Sequence, residues 1–172
     1  MSAFRDPQQF AFVAQLEAAA SVIAGELRGL PAYAFGPSPD SLTTVADGYD
    51  ETGWLSMPLA AAGMVLPAAA ACCPQTAAVL QQVPGLVNAC FSRFRPGTRL
   101  YPHHGELASV LRCHLGLEVP EGDCALRVGG QVRPWQAGRC LVFDDQVEHD
   151  AWNHAGGDRT VLLVTFDASL CG

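Results

Sequence analysis

No histidine occurs in the first 102 residues of this 172-residue chain, and all five lie between His103 and His154. The chain is also poor in charge. Asp, Glu, Lys and Arg make up 16% of it, and the net charge is −7. No basic stretch offsets that acidic balance, which argues against a nucleic-acid surface. A small anionic substrate stays possible, because a pocket can be basic inside an acidic protein. A long hydrophobic run is missing too. The most apolar stretch, Leu55 to Ala71, is Ala-rich and broken by Pro58 and Pro67. It falls short of the roughly 20 uninterrupted apolar residues a bilayer span requires. The opening M-S-A-F-R-D-P-Q-Q-F lacks a charged leader followed by an apolar run, so a soluble, cytoplasmic protein is expected. There are seven cysteines, an odd number, with no C-x-x-C spacing. This predicts free thiols and no zinc ribbon.

What is present fits one globular domain. The chain is 49% hydrophobic and long enough for a real core. Its residues divide into a helical and loop part, 1–84, and a β-rich part, 85–172. Residues 6–30 read as a helix. Asp6 is a good N-cap, Pro7 suits the first helical position, Gln9 completes a capping box, and Phe10, Val13, Leu16, Ala20, Ile23, Leu27 and Leu30 form one apolar face. Residues 31–53, rich in Pro, Gly, Ser and Asp, read as loop with one short extended piece. The Ala-rich stretch 54–83 reads as one or two helices, with C-P-Q-T at 73–76 starting the second.

Beyond residue 85 the period changes to short β-prone runs: 88–95, 98–102, 109–117, 124–128, 131–135, 139–143 and 159–166. The run C-A-L-R-V-G-G-Q-V-R-P-W is a hairpin with a Gly-Gly turn. The continuously apolar R-T-V-L-L-V-T-F fits a central strand. Many short strands after a helical start predict a mainly β fold, a jelly roll with N-terminal helices packed on one side.

Two phrases carry the chemistry: Y-P-H-H-G-E, Tyr101 to Glu106, and F-D-D-Q-V-E-H-D-A-W, Phe143 to Trp152. Imidazole is a common ligand for divalent transition metals. His103 and His149 are far apart in sequence, but the mouth of a jelly roll can bring them together. Non-haem iron oxygenases use two histidines and one carboxylate, with the carboxylate two residues after the first histidine. Here that position is Gly105. The site then has two protein ligands, or takes a third from elsewhere, with Asp145 and Glu106 as candidates. Arg112 and His114 alternate to one side of a strand, and Arg159 opens the last strand, where its guanidinium could grip a carboxylate. A pocket for anionic small molecules is the expectation.

From Phe91 to Phe166 the chain resembles the aspartyl/asparaginyl β-hydroxylase family of Fe(II)- and 2-oxoglutarate-dependent oxygenases. The resemblance rests on R-P-G-T-R-L-Y-P-H-H-G, L-R-C-H-L-G-L, G-R-C-L-V-F-D-D-Q-V-E-H-D-A-W and the following Arg159, in family order and spacing. G-W at 53–54 and C-P-Q-T are similar as well. The family also has H-x-G in place of H-x-D. The resemblance implies a double-stranded β-helix with His103 and His149 as iron ligands. It assigns Arg159, helped by Ser92 and His114, to the distal carboxylate of 2-oxoglutarate, and Arg112 to the substrate's carboxylate. It implies hydroxylation of a C–H bond with O2 as oxidant. The expected substrate is an amino acid or related carboxylate, free or carrier-tethered, oxidised at its β-carbon.

Two other functions fit the same residues: a 2-oxoglutarate-dependent halogenase, with chloride at the vacant position, and a non-catalytic jelly-roll binding or sensor module. Among the remaining polar residues, His104 and His154 read as exposed or structural. Asp144 and Asp145 read as turn residues or as supports for a ligand. Glu148 reads as no ligand, and Arg127, Arg133 and Arg139 as solvated. Tyr101 and Trp152 flank the ligands and could line the pocket or pack in the core.

Overall fold

The computed structural model describes residues 3–38, 53–105 and 107–171. Its elements are β1 (Phe4–Arg5), α1 (Ala11–Gly29), β2 (Gly36–Pro37), β3 (Trp54–Ala61), β4 (Met64–Val65), α2 (Pro67–Cys72) and α3 (Pro74–Leu80). There follow β5 (Leu86–Phe94), β6 (Arg99–His103), β7 (Val110–Glu118), β8 (Cys124–Val128), β9 (Gln131–Pro134), β10 (Cys140–Asp144), β11 (His149–Asn153) and β12 (Arg159–Asp167). All pairings are antiparallel. The larger sheet runs β1-β10-β7-β12-β5-β3-β2, with β4 on β3, and the smaller runs β6-β11-β8-β9. Two facing antiparallel sheets, with helices on the outer face of one, are the expected jelly roll. No helix among the described residues is long and apolar enough to cross a membrane.

The larger sheet is buried on both faces, which explains the unbroken apolar run of β12. Leu162, Val164 and Phe166 point to a core shared with α1, while Val161 and Leu163 point to a second core between the sheets. Strand side chains alternate, so one strand can serve two cores only if both sets are apolar. Helix α1 meets this sheet through Val13, Leu16, Ile23 and Leu27 at helical spacing, all but fully buried. Each such side chain stabilises the fold by about 1.5–3 kcal/mol. Glu26 on α1 ties down α3, accepting hydrogen bonds from Gln75 N, Thr76 N and Thr76 Oγ1 at 2.6–2.9 Å.

Three local expectations are corrected. The N-terminal helix begins at Ala11; Asp6 instead caps a single 3₁₀ turn, Pro7–Gln9, by accepting from Gln8 N. Residues 54–61 form a strand, not a helix. Trp54 and Met57 pack into different cores there, and exposed Pro58, which has no N–H to donate, sits at a bulge. Tertiary packing overrides the helix propensity of the Ala-rich run. His149–Asn153, absent from the expected strands, is a central strand of the smaller sheet. The Gly-Gly hairpin is as expected, with Gly129 at φ 52° and Gly130 at φ 81°, the two left-handed positions of a tight β8–β9 turn.

Candidate active site

Strands β6 and β11 are neighbours, and their register sets His103 opposite His149. The two ring centroids are 4.1 Å apart. Each ring is fixed in the same way. His103 Nδ1 is 2.8 Å from the Tyr101 carbonyl, and His149 Nδ1 is 2.8 Å from the Val147 carbonyl. A carbonyl only accepts, so each Nδ1 carries the proton and each Nε2 keeps its lone pair. Two lone-pair nitrogens side by side at a pocket wall are suited to a divalent cation.

Burial first, then the nearby His103, pushes the His149 pKa from 6.5 to about 4. Between those values an unfolded chain binds a proton that the folded chain refuses, so stability is full above 6.5 and falls toward pH 4. The metal-free protein should lose on the order of 3 kcal/mol over that window through this group. Denaturant midpoints in a chelator at several pH values check it. The decline should be shallower in His149→Ala, and an equal slope in both proteins would contradict it.

Gly105 and Asp145 explain the missing carboxylate. Gly105 N donates to the Asp145 carbonyl at 2.7 Å, and a Cβ on Gly105 would collide with the Asp145 carboxylate. The space a side chain at 105 would fill is therefore taken by Asp145. That carboxylate is 1% exposed, and its Oδ1 lies 3.5 Å from His149 Nε2. Arg112 clamps it, with Nε 2.6 Å from Oδ1 and Nη2 3.3 Å from Oδ2. A buried carboxylate needs such a partner. Among the described residues no cluster of three or more His, Cys, Asp or Glu is placed to hold a metal, so Asp145 stands beside the histidine pair. Glu106 lies outside the described residues. Gly105→Ala should displace Asp145 and weaken metal binding about 10- to 100-fold, the usual scale for disturbing groups that support a ligand. Metal titration of the two proteins reads this directly, and equal affinity would show that the collision is relieved harmlessly.

Across the pocket the larger sheet supplies cationic and donor groups. His114, on β7, is 7% exposed, and its Nδ1 accepts from Trp135 Nε1 at 3.3 Å. Its Nε2 therefore bears the proton, and that atom is buried without a partner. Burial, followed by Arg159 and Arg112, drives its pKa well below the ordinary imidazole value, so the ring is neutral. Arg159, on β12, is 1% exposed, and burial lowers its pKa to about 9, still cationic at neutral pH. Its Nη1 lies 3.3 Å from the Ser92 carbonyl, while its Nε is buried and unpartnered. The guanidinium carbon is 3.8 Å from the Phe94 ring centroid and 4.5 Å from that of Trp135. Unpaired buried donors cost free energy, so two of them, on residues that line one cavity, mark the place of an acceptor.

The cavity between these walls measures about 220 Å³, and all six sequence-nominated residues, His103, His149, Ser92, His114, Arg112 and Arg159, line it. Tyr101 and Trp152 do not appear in its lining; Trp152 binds Asp123 instead at 2.6 Å. Sequence reading named Trp54 only within the G-W likeness and gave it no role; it donates to Ser92 Oγ at 3.1 Å. Sequence reading missed Trp135. It also missed Asn88 and the half-exposed Leu107 at the rim. A lone tryptophan after a hairpin carries no motif. Arg127 is not simply solvated, since it pairs through Nε and Nη2 with buried Asp150 at 2.6 and 3.0 Å, on the strand next to His149.

A jelly roll with a paired-histidine wall facing a buried cationic end defines a class of small-molecule sites. Within that class, the chain belongs to the aspartyl/asparaginyl β-hydroxylase family, whose model matches residues 17–168. It is 44% identical over 129 residues to an ornithine lipid ester-linked acyl 2-hydroxylase of Rhizobium tropici, covering 74% of this chain and 46% of that one. It is 37% identical over 120 residues to aspartate β-hydroxylase domain-containing protein 2 of Homo sapiens, covering 64% of this chain and 32% of that one. With the aspartyl/asparaginyl β-hydroxylase of Mus musculus it shares 39% identity over 74 residues, 43% of this chain and 10% of that one. The chain thus spans less than half the length of each of these relatives. Among solved structures, KdgF from Halomonas sp. aligns with a TM-score of 0.45 and 18% identity, over 70% of this chain and 84% of that one.

Proposed function

We propose that this protein is an Fe(II)- and 2-oxoglutarate-dependent hydroxylase acting on a C–H bond of a small carboxylate-bearing substrate. The observation that carries the reading is the pairing of two lone-pair nitrogens, His103 and His149 Nε2, with two unpartnered buried donors, His114 Nε2 and Arg159 Nε. The first pair would hold iron, and the second would take carboxylate oxygens of 2-oxoglutarate, with Ser92 alongside. Iron, when bound, supplies the oxidising power to break an unactivated C–H bond using O2. Overall, 2-oxoglutarate, O2 and R–H give succinate, CO2 and R–OH.

The chain's own residues do the rest. Arg159, 1% exposed, neutralises the cosubstrate's distal carboxylate where little solvent competes for it, which strengthens a bidentate cation–carboxylate contact. Neutral His114 donates one hydrogen bond without adding a competing charge beside the metal. The closed inner end directs the substrate to the rim, where Asn88, His104 and Leu107 would meet it.

For the substrate we favour an amino acid or related carboxylate, free or carrier-tethered, oxidised at the carbon β to its amino acid carboxyl. An acyl group is the second reading, supported by the name of the 44%-identical relative and by the apolar Leu107 at the rim. The test is aerobic turnover under 18O2 with Fe(II), 2-oxoglutarate and a panel of amino acids and acyl esters. Succinate release coupled to a product heavier by one labelled oxygen supports the reading. Iron- and 2-oxoglutarate-loaded protein that releases no succinate with any of them, or a chlorinated product, contradicts it.

A further inference from the structure

Trp135 is a deeply buried side chain, 3% exposed, that touches both halves of the cationic end, yet it belongs to neither histidine phrase. We propose that Trp135 is a positioning residue that presets this end: its indole N–H fixes the tautomer of His114, and its ring face holds Arg159. The inference rests on the cosubstrate reading above for what the preset end binds.

The contacts are specific. Trp135 Nε1–H can only donate, so the 3.3 Å contact forces His114 Nδ1 to accept and leaves the proton on Nε2, a buried atom with no partner on a residue that lines the cavity. Without that donor, either tautomer would be open to the ring. In one of them Nε2 would present a lone pair to an incoming carboxylate and repel it. The indole lies nearly parallel to the imidazole, at 18° with centroids 6.2 Å apart, so the contact fixes ring orientation as well as the proton. The Arg159 guanidinium carbon lies 4.5 Å from the indole centroid. That contact stabilises a cation for which no carboxylate partner is present among the described residues.

The chain also carries a device that seats Trp135. The turn after β9 lies flat on β7 at Gly116, two residues beyond His114. Gly116 N donates to the Arg139 carbonyl at 3.0 Å, and Gly138 N donates to the Gly116 carbonyl at 2.8 Å. A Cβ on Gly116 would run into the Gln136 carbonyl, so only glycine lets this turn approach. The same strand thus presents His114 to the pocket and docks the loop that orients it.

The test is Trp135→Phe, which keeps an aromatic ring but loses the N–H. In the metal-free protein, histidine ring 15N shifts should show His114 with its proton on Nε2, and a mixture of tautomers in Trp135→Phe. Affinity for 2-oxoglutarate, measured calorimetrically with Mn(II) in place of iron, should fall about tenfold, the scale of one hydrogen bond. Trp135→Leu, which also removes the ring over Arg159, should lose about 100-fold. If Trp135→Phe does not fold, site-specific benzothienylalanine, an indole-shaped side chain without the N–H, replaces it. An unchanged His114 tautomer, or an unchanged 2-oxoglutarate affinity, overturns the proposal. If the natural protein binds no 2-oxoglutarate, the cosubstrate reading falls, and the tautomer comparison alone decides the role of Trp135.

Discussion

His149→Ala is expected to abolish 2-oxoglutarate turnover, by at least about 1000-fold, while leaving the fold intact. The histidine presents one of the two facing lone-pair nitrogens at this wall, opposite His103. Losing a ligand outright should exceed the 10- to 100-fold cost of disturbing a group behind it. The fold should survive because His149 lines a cavity rather than filling a core, and because a buried neutral imidazole adds little hydrophobic stabilisation. The β8–β11 ladder and the Arg127–Asp150 pair remain to hold the strand. Succinate release and far-UV circular dichroism measure the two halves of this expectation. His154→Ala serves as the control, since His154 pairs with Asp123 at the surface. Full turnover in His149→Ala would remove His149 from the metal site.

Arg159→Met should act in two opposite directions. It should weaken 2-oxoglutarate binding by about 100- to 1000-fold, the usual cost of truncating one partner of a buried charge pair. It should also raise the thermal stability of the ligand-free protein. Arg159 is 1% exposed with an unpartnered Nε, and burial already pulls its pKa to about 9. That is the signature of a cation held in place against its own solvation, and an apolar chain of similar length removes the penalty. Calorimetric binding and a melting curve read the two effects in the same preparation. Loss of affinity together with loss of stability would mean that Arg159 supports the core instead of the ligand.

The meeting of His103 and His149 was the most legible part of the candidate site, because histidine in a mostly apolar chain has few structural uses. His103 and His149 could be paired through their phrases. What the sequence did not carry is their register, which depends on β11, a strand whose H-D-A-W-N has neither alternation nor an apolar run. Asp145 was visible as one of several carboxylates. Its place beside Gly105 follows from a backbone contact between segments distant in sequence. The β12 strand was legible because burial on both faces forces an unbroken apolar run. The β3 strand was not, since Ala, Leu and Met serve a helix equally well and only the neighbouring β5 decides between them. Trp135 was invisible for a similar reason: its meaning lies in Gly116 and His114, on a different strand.

The most direct test of the central claim needs no substrate. Fe(II) and 2-oxoglutarate are added together to the metal-free protein without oxygen, and the visible spectrum is recorded. The two-histidine site facing Arg159 and His114 predicts a charge-transfer band from cosubstrate chelated to iron, absent in His103→Ala. No band, with iron left unbound in the natural protein, would contradict the iron and 2-oxoglutarate assignment and favour a binding module built on the same jelly roll.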